Sequence, residues 1–137
     1  MYRISKTFKF SASHQLLHLP DGHKCKRMHG HNYSITLTFQ REDLDSDYFV
    51  RDFATMDDFS DWIKTALDHR HLNDVMTERN RDTFDKSQRI KLQPFEPLPP
   101  TCEVMARWIF GMWKMVYLDL YSVRVSESDS TYGEYFV

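Results

Sequence analysis

The chain has 137 residues, 41% of them hydrophobic and 15% aromatic, which predicts one domain with one core and argues against disorder. The formal net charge of −2 gives no general attraction to nucleic acid or to an anionic membrane. Two cysteines, Cys25 and Cys102, form no disulfide framework, the N-terminus does not resemble a signal peptide, and no apolar run could span a bilayer. We therefore expect a single cytoplasmic domain over residues 1–137 that binds neither nucleic acid nor membrane.

Two segments of alternating hydrophobicity predict the first pair of strands. In residues 2–14 the apolar side chains share one parity, which ends on His14. Residues 29–40 alternate in the same way, and their apolar parity extends back to His31 and His29. Antiparallel pairing of the two strands would bring the three histidines together at one end of one face.

Two segments with helical spacing follow. Asp52 is suited to cap a first helix that runs to about residues 67–69, and Thr101 is suited to cap a second helix that begins after Pro100. The apolar stripe of the second helix comprises Val104, Met105, Trp108, Ile109, Met112, Trp113 and Val116.

The remaining segments complete an order of ββααββ. The polar stretch 75–100 predicts a long excursion between the helices. A third strand covers about 121–127 and a short fourth strand covers 132–137. The apolar residues of the third strand are in phase at Tyr121, Val123 and Val125. We predict an α+β domain in which two helices lie on one face of a four-stranded antiparallel sheet.

His14, His29 and His31 carry the strongest chemical signal. Histidines two apart on a strand point the same way, and neutral imidazole is a standard zinc ligand. A single buried histidine is more often part of a core and satisfied by hydrogen bonds. Three on buried parities of adjacent strands would be costly to bury without a shared purpose. The pattern therefore predicts a zinc ion with three protein ligands and a fourth position for water or substrate.

Cys25 lies four residues before His29, and its role stays open at this point. It could be a fourth ligand that closes a structural zinc site. It could instead be a thiol near an open zinc ion, made more acidic by the cation and by basic neighbours, and so act as a base. A buried small hydrophobe fits poorly with the polar run GHKCKR at 22–27.

Three acidic or basic residues further along the chain are weaker candidates. Asp68 and His69 are adjacent and form a relay only if the backbone brings their side chains into register; a histidine stabilised at a helix C-terminus is the common alternative. Glu127 continues the apolar parity of the third strand, so it either needs a partner with N–H donors or lies in solvent after the strand has ended.

Six segments, in order along the chain, resemble the 6-pyruvoyl-tetrahydropterin synthase and 6-carboxy-tetrahydropterin synthase family. They are FSASHQL at 10–16, C-x₃-HGHNY at 25–33, RDF at 51–53, LDHRHLND at 67–74, PTCEVMARWIF at 100–110 and VRVSE at 123–127. The resemblance implies the tunnelling fold, in which ββααββ subunits assemble into a barrel, usually a hexamer of two trimers. Active sites of that family lie between subunits.

The resemblance also implies roles for the residues singled out above. It makes the three histidines the zinc ligands and Cys25 the catalytic proton acceptor, which selects the open zinc site. Asp68 and His69 resemble the relay pair of the family. Glu127 resembles the carboxylate that anchors the N–H edge of the pterin, and Thr101 a further contact to the substrate.

The substrate that the resemblance implies is 7,8-dihydroneopterin triphosphate. The family either keeps the three-carbon side chain as a pyruvoyl group or cleaves it, which releases acetaldehyde and leaves a 6-carboxy group. The context GHKCKRMHGH at 22–31 resembles the enzyme of the queuosine (7-deazaguanine) pathway and favours the 6-carboxy product. Lys24, Lys26 and Arg27 are candidates for binding the triphosphate. The chain departs from the family in its longer excursion at 75–100 and in its ending, STYGEYFV, where Tyr132 or Tyr135 would fill the family's tyrosine position.

Overall fold

The protein is built on one antiparallel sheet. In the computed structural model, which describes residues 1–76 and 98–137, four strands lie in the order β1-β2-β3-β4, each antiparallel to its neighbour. The strands are β1 (Tyr2–His14), β2 (His29–Arg41), β3 (Leu120–Ser128) and β4 (Thr131–Phe136). All four predicted strands and the antiparallel sheet are confirmed.

Between β2 and β3 in the chain, the described residues contain two longer helices and a short helical segment at residues 72–76. A 3₁₀ turn, Phe53–Met56, leads into α1 (Asp57–Ala66), and α2 is Cys102–Trp113. The four strands and these two helices occur in the predicted order ββααββ. The predicted polar excursion at 75–100 begins inside the helical segment, where Val75 and Met76 are buried, and residues 77–97 lie outside the described residues. No helix in the described ranges has the length and apolar character needed to cross a membrane.

Both predicted capping residues accept a backbone hydrogen bond, but Asp52 caps the 3₁₀ turn that precedes α1, and the N-cap residue of α1 itself, Met56, makes no side-chain cap. The Asp52 carboxylate accepts a hydrogen bond from the Ala54 N–H at 2.9 Å, at the start of the 3₁₀ turn. The Thr101 hydroxyl accepts one from the Val104 N–H at 3.3 Å, at the start of α2. These bonds satisfy backbone donors that a helix leaves unpaired in its first turn.

The predicted end of α2 is wrong by about one turn. The helix ends at Trp113, and Val116 is 56% exposed instead of continuing the apolar stripe. The chain turns after the helix, so that Tyr117 is the residue buried here, with its ring stacked on that of Trp113.

The core lies between one face of the sheet and the helices. Phe59 of α1 joins three elements, because its ring centre lies 4.9 Å from that of Phe8 in β1 and 4.9 Å from that of Trp113 in α2. The apolar parity of β2 is fully buried at Tyr33, Ile35, Leu37 and Phe39. Each such side chain contributes roughly 1.5–3 kcal/mol by leaving water, which makes this face the main source of stability.

A bulge in β3 changes which of its residues reach the core. The register shifts opposite Thr38 and Phe39, so that Tyr121 becomes the extra residue in the ladder. Leu120 is buried at this end of the strand, and Tyr121 is only half-buried. The prediction that Tyr121 shares the phase of Val123 is therefore wrong, because a bulge reverses the alternation on one side of it.

The segment after α1 covers the free edge of β1. Ser13 forms a parallel bridge with His71, and its N–H donates to the Arg70 carbonyl at 3.1 Å. Two positions further on, the Gln15 N–H donates to Asn73 Oδ1 at 2.8 Å. An edge strand would otherwise expose unpaired backbone groups. These bonds hold the residues that follow α1 beside the end of β1.

Gly133 lies where β4 passes the start of α2, and a side chain there should be costly. A Cβ at this position would lie 2.8 Å from Glu103 N and 2.9 Å from the Cys102 carbonyl carbon. We expect Gly133→Ala to lower the free energy of unfolding by about 1–3 kcal/mol, because α2 and β4 must separate to admit the methyl group. Denaturant unfolding measures this. Val137→Ala, at the exposed end of the chain, is the control and should change stability by less than about 0.5 kcal/mol. Equal stability of the two variants would contradict the close packing of α2 on β4.

Candidate metal centre and active site

The paired ends of β1 and β2 bring three histidines together. His14 lies directly opposite His29, and Ala12 lies opposite His31. Because strand side chains alternate, all three imidazoles project from the core face. Their nearest nitrogens all lie within 4.8 Å of one another, an arrangement that could hold a metal ion. The predicted convergence of His14, His29 and His31 is confirmed.

Backbone carbonyls orient two of these rings. His14 Nδ1 lies 2.9 Å from the Pro100 carbonyl oxygen, and His29 Nδ1 lies 2.6 Å from that of Arg27. A carbonyl oxygen only accepts, so each Nδ1 carries the proton and each Nε2 is left with a lone pair. Such carbonyl contacts are typical of histidines that bind metals.

The Nε2 atoms fit a cation better than they fit one another. Those of His14 and His29 are 2.9 Å apart, where two lone pairs repel unless a proton or a cation lies between them. His31 Nε2 is buried and has no hydrogen-bond partner. In a tetrahedral zinc site the ligand nitrogens are separated by roughly 3.3 Å, so small movements of the rings suffice. The donor set and the unpaired nitrogen both fit zinc.

The charge state of His14 agrees with a ligand role. Burial lowers the pKa of this histidine, and the nearby imidazoles of His29 and His31 lower it further, against the raising effects of the Pro100 carbonyl and Glu127. A metal binds the neutral imidazole, which is the form that burial favours.

Glu127 lies beside the histidines. Its carboxylate oxygens are 3.8 Å from His14 Nε2 and 3.8 Å from His31 Nε2, and the side chain is 29% exposed. These distances exceed hydrogen-bond length, so the carboxylate flanks the histidine nitrogens. The Glu127 side chain therefore lies on the core side at the end of β3, as its parity predicts, and is not fully exposed to solvent.

Two residues beside Glu127, the half-buried Cys102 and the buried Tyr33, were not identified as site residues from the sequence. The Cys102 thiol donates a hydrogen bond to Glu127, and burial together with that carboxylate raises the pKa of the thiol to about 12. The Tyr33 hydroxyl is buried without a hydrogen-bond partner, and burial and Glu127 raise its pKa as well. The only sequence signal was positional. Tyr33 follows His31 on the same parity of β2, and Cys102 follows the cap of α2 directly.

Cys25 does not join the histidines. It lies half-buried in a 3₁₀ turn, Lys24–Lys26, where its N–H donates to His23 Nδ1 at 3.1 Å and its carbonyl accepts from the Leu16 N–H at 2.9 Å. Its sulfur is not among the ligand atoms that lie within 4.8 Å of one another. The structure therefore offers three ligands, and nothing in it supports Cys25 as a fourth.

Asp68 and His69 are in register after α1. Asp68 Oδ1 accepts from the Ser11 N–H at 3.0 Å and lies 3.0 Å from His69 Nδ1. The Ser11 N–H and then His69 lower the pKa of this carboxyl group. His69 has a φ of 57°, an uncommon conformation for a residue with a side chain, and its N–H donates to the Ser11 carbonyl at 2.7 Å. Its imidazole is 83% exposed and presents Nε2 to solvent.

An open cavity of about 620 Å³ lies next to this pair. From β1 and β2 it is lined by residues whose parity is opposite to that of the clustered histidines: Ser11, Ser13 and Asn32. The segment after α1 contributes His69, Arg70 and His71. Since side chains alternate along a strand, these strand residues project from the face opposite the three clustered imidazoles. A single chain thus presents the histidine cluster and His69 on different faces of the β1–β2 pair.

Comparisons with known proteins are consistent across sequence and structure. The model of the 6-pyruvoyl tetrahydropterin synthase family matches residues 3–136. A 6-carboxy-5,6,7,8-tetrahydropterin synthase of Synechocystis is 30% identical over 142 aligned residues, which cover 99% of this chain and 94% of that one. The Aquifex aeolicus protein of the same name is 28% identical over 129 residues, covering 82% of this chain and 79% of that one.

Solved structures with the same fold include two close in size. The 6-pyruvoyl tetrahydropterin synthase of Caenorhabditis elegans superposes with a TM-score of 0.73 at 23% identity, covering 99% of this chain and 95% of that one. An uncharacterized protein from Wolinella succinogenes gives a TM-score of 0.76 at 21% identity, covering 98% of this chain and 97% of that one. The tunnelling fold is confirmed for the subunit.

The histidine cluster predicts a specific metal-binding result. We expect one zinc ion per wild-type chain, measured by elemental analysis after dialysis, and a loss of zinc in His29→Ala, because two imidazoles hold the ion more weakly than three. His18→Ala is the matched control, since His18 is exposed and outside the cluster. Equal zinc content in both variants would show that the cluster does not bind the metal.

Proposed function

Because the chain belongs to the 6-pyruvoyl tetrahydropterin synthase family, we propose that it is a zinc-dependent carbon–carbon lyase. Its substrate would be 7,8-dihydroneopterin triphosphate, and its products 6-carboxy-5,6,7,8-tetrahydropterin, acetaldehyde and triphosphate. Curated relatives that share nearly the whole chain carry the name of this synthase, which supports the 6-carboxy product and a place in cytoplasmic queuosine (7-deazaguanine) biosynthesis. The observation that carries the proposal is the convergence of three histidine nitrogens beside the Glu127 carboxylate.

Different residues around the histidine cluster would bind the metal ion and the pterin ring. His14, His29 and His31 would hold the zinc ion, which when bound polarises the hydroxyl groups of the substrate and makes the neighbouring protons more acidic. Glu127 would accept the paired N–H groups of the pterin ring and so fix the position of the side chain to be cleaved. Cys102 supports that role, because its neutral thiol donates to the same carboxylate and holds it in place.

Two groups would move protons. Cys25, in the 3₁₀ turn Lys24–Lys26, would act as a proton acceptor, the role that membership of the family suggests for it. His69 Nε2 would be the second proton-transfer site. Asp68 supports this, because it contacts Nδ1 of the same ring and stabilises the imidazolium that forms when Nε2 takes up a proton. Thr101 remains a proposed substrate contact whose hydroxyl oxygen also caps α2.

The placement of His69 supports an assembly of several chains. The clustered histidines and His69 project from different faces of β1–β2 in one chain, so a second copy would bring its own His69 to the zinc site of the first. A hexamer built from two trimers is the assembly that we propose from the family.

Product analysis with a cysteine variant tests the function. We expect the wild-type protein to release acetaldehyde and give a 6-carboxypterin mass from 7,8-dihydroneopterin triphosphate. Cys25→Ala should keep its zinc and its melting temperature but lose at least about a hundredfold in kcat, because it lacks the proton acceptor. Cys25→Ser is the matched control for side-chain volume.

Other outcomes point to the alternatives. A pyruvoyl product without acetaldehyde would assign the 6-pyruvoyl-tetrahydropterin synthase reaction. Loss of zinc and of stability in Cys25→Ala, with no turnover by the wild type, would indicate a non-catalytic structural zinc module.

Mixed assemblies test the shared site. Glu127→Ala should weaken pterin binding without releasing zinc, and His69→Ala should bind pterin but turn it over slowly. When the two variants are co-expressed with different tags and purified through both, roughly a quarter of the sites would combine an intact Glu127 with an intact His69 from the other chain. We expect a corresponding recovery of activity. No recovery in doubly tagged assemblies would mean that both residues act from the same chain.

A further inference from the structure

We propose that the cavity beside Asp68 and His69 binds the phosphate oxyanions of a polyphosphate chain through Arg70 and His71. We take the ligand to be the triphosphate of the pterin substrate, and this identification rests on the proposed function. The binding itself does not require turnover. Neither Arg70 nor His71 was assigned a role from the sequence, and the candidates there were Lys24, Lys26 and Arg27.

His71 is held in the same way as His69. His71 Nδ1 lies 2.9 Å from Ser13 Oγ, just as His69 Nδ1 lies 3.0 Å from Asp68 Oδ1. The parallel bridge between Ser13 and His71 fixes the backbone at this point. Both imidazoles line the cavity, and both are anchored through Nδ1, which leaves Nε2 as the atom that can meet a ligand. Two anchored rings at one cavity indicate a binding surface rather than chance exposure.

The lining of the cavity suits an anion. Among the described residues that line it, the side chains on this face include one arginine and the two imidazoles of His69 and His71, and no carboxylate; His31, which also borders the cavity, has its imidazole in the histidine cluster. The nearest carboxylate along the chain, Asp68, does not line the cavity and is engaged by the Ser11 N–H and by His69. Ser11 Oγ donates to Asn32 Oδ1 at 2.7 Å, so the amide nitrogen of Asn32 is a further donor beside the cavity.

The Arg70 side chain has capacity for a ligand. Its single described hydrogen bond is a long one, from Nη2 to the Thr65 carbonyl at 3.4 Å. A guanidinium group has five N–H donors and binds phosphate oxygens in pairs. A volume of about 620 Å³ accommodates more than one phosphate group. The competing basic loop is partly neutralised, because Lys26 forms an ion pair with Asp21.

Inorganic tripolyphosphate is the probe that tests this cavity. Calorimetric titration of the zinc-loaded protein should give saturable binding, which Arg70→Gln and His71→Gln each weaken by about tenfold, as expected for loss of one charge-assisted hydrogen bond. Arg3→Gln is the matched control, since Arg3 is exposed on the same face of β1 at its opposite end. Zinc content is measured before and after each titration, because tripolyphosphate also chelates zinc.

The variant Ser13→Ala tests whether His71 binds the anion or only stabilises the fold. It removes the anchor of His71 but keeps both the imidazole and Arg70. We expect it to weaken tripolyphosphate binding by less than His71→Gln does, with the thermal midpoint of each variant recorded. If Ser13→Ala and His71→Gln lose affinity and stability equally, His71 only supports the fold and its part in the proposal is overturned.

The outcomes distinguish a failure of the proposed anion site from a failure of the proposed lyase activity. Unchanged affinity in Arg70→Gln, with loss of affinity in Lys24→Gln or Arg27→Gln or on zinc removal, would overturn the cavity as the anion site while leaving the lyase intact. Binding that depends on Arg70 in a protein that turns over no pterin would support the cavity and refute the lyase. If both proposals hold, Arg70→Gln should raise the KM for the triphosphorylated pterin about tenfold and leave the KM for the unphosphorylated pterin unchanged.

Discussion

The antiparallel register of β1 and β2 is the constraint on which the site depends. Strand side chains alternate with a period of two, so a slip of one residue would move an entire set of side chains to the other face. In the observed register His14 lies opposite His29, and all three imidazoles meet on one side. A slip would leave His14 on one face and the other two imidazoles on the opposite one, and the cluster would no longer exist.

The register is fixed from both faces. On the core face the rings of Phe10 and Tyr33 stack with centres 5.1 Å apart, next to the histidines. On the opposite face the hydroxyls of Thr7 and Thr36 are hydrogen-bonded at 2.8 Å. Both pairs lie directly across the ladder, where cross-strand contacts contribute most to the choice of pairing. The geometry of the metal site is therefore a consequence of how the whole hairpin packs.

Features that are local or periodic in the sequence could be predicted. Features that depend on contacts between residues far apart in the sequence could not. Within the described residues, alternation and capping residues predicted the four strands, α1, α2 and the histidine cluster, because these features repeat over a few residues, but they did not predict the short helical segment at 72–76. The bulge at Tyr121 interrupts such a period, and nothing in the pattern marks it. The bond between Ser13 and His71 joins residues 58 apart in sequence, and the contact of Cys102 with Glu127 joins α2 to β3. Only the folded chain brings these partners together.

The fold places the two cysteines in different surroundings, which the sequence alone does not reveal. Cys102 is half-buried beside Glu127, and desolvation together with that carboxylate raises the pKa of its thiol to about 12, which favours the neutral form as a hydrogen-bond donor. Cys25 lies in the 3₁₀ turn Lys24–Lys26, where its N–H donates to His23 Nδ1. The proposal that sulfur accepts a proton therefore concerns Cys25, whereas the Cys102 thiol lies against Glu127 as a hydrogen-bond donor.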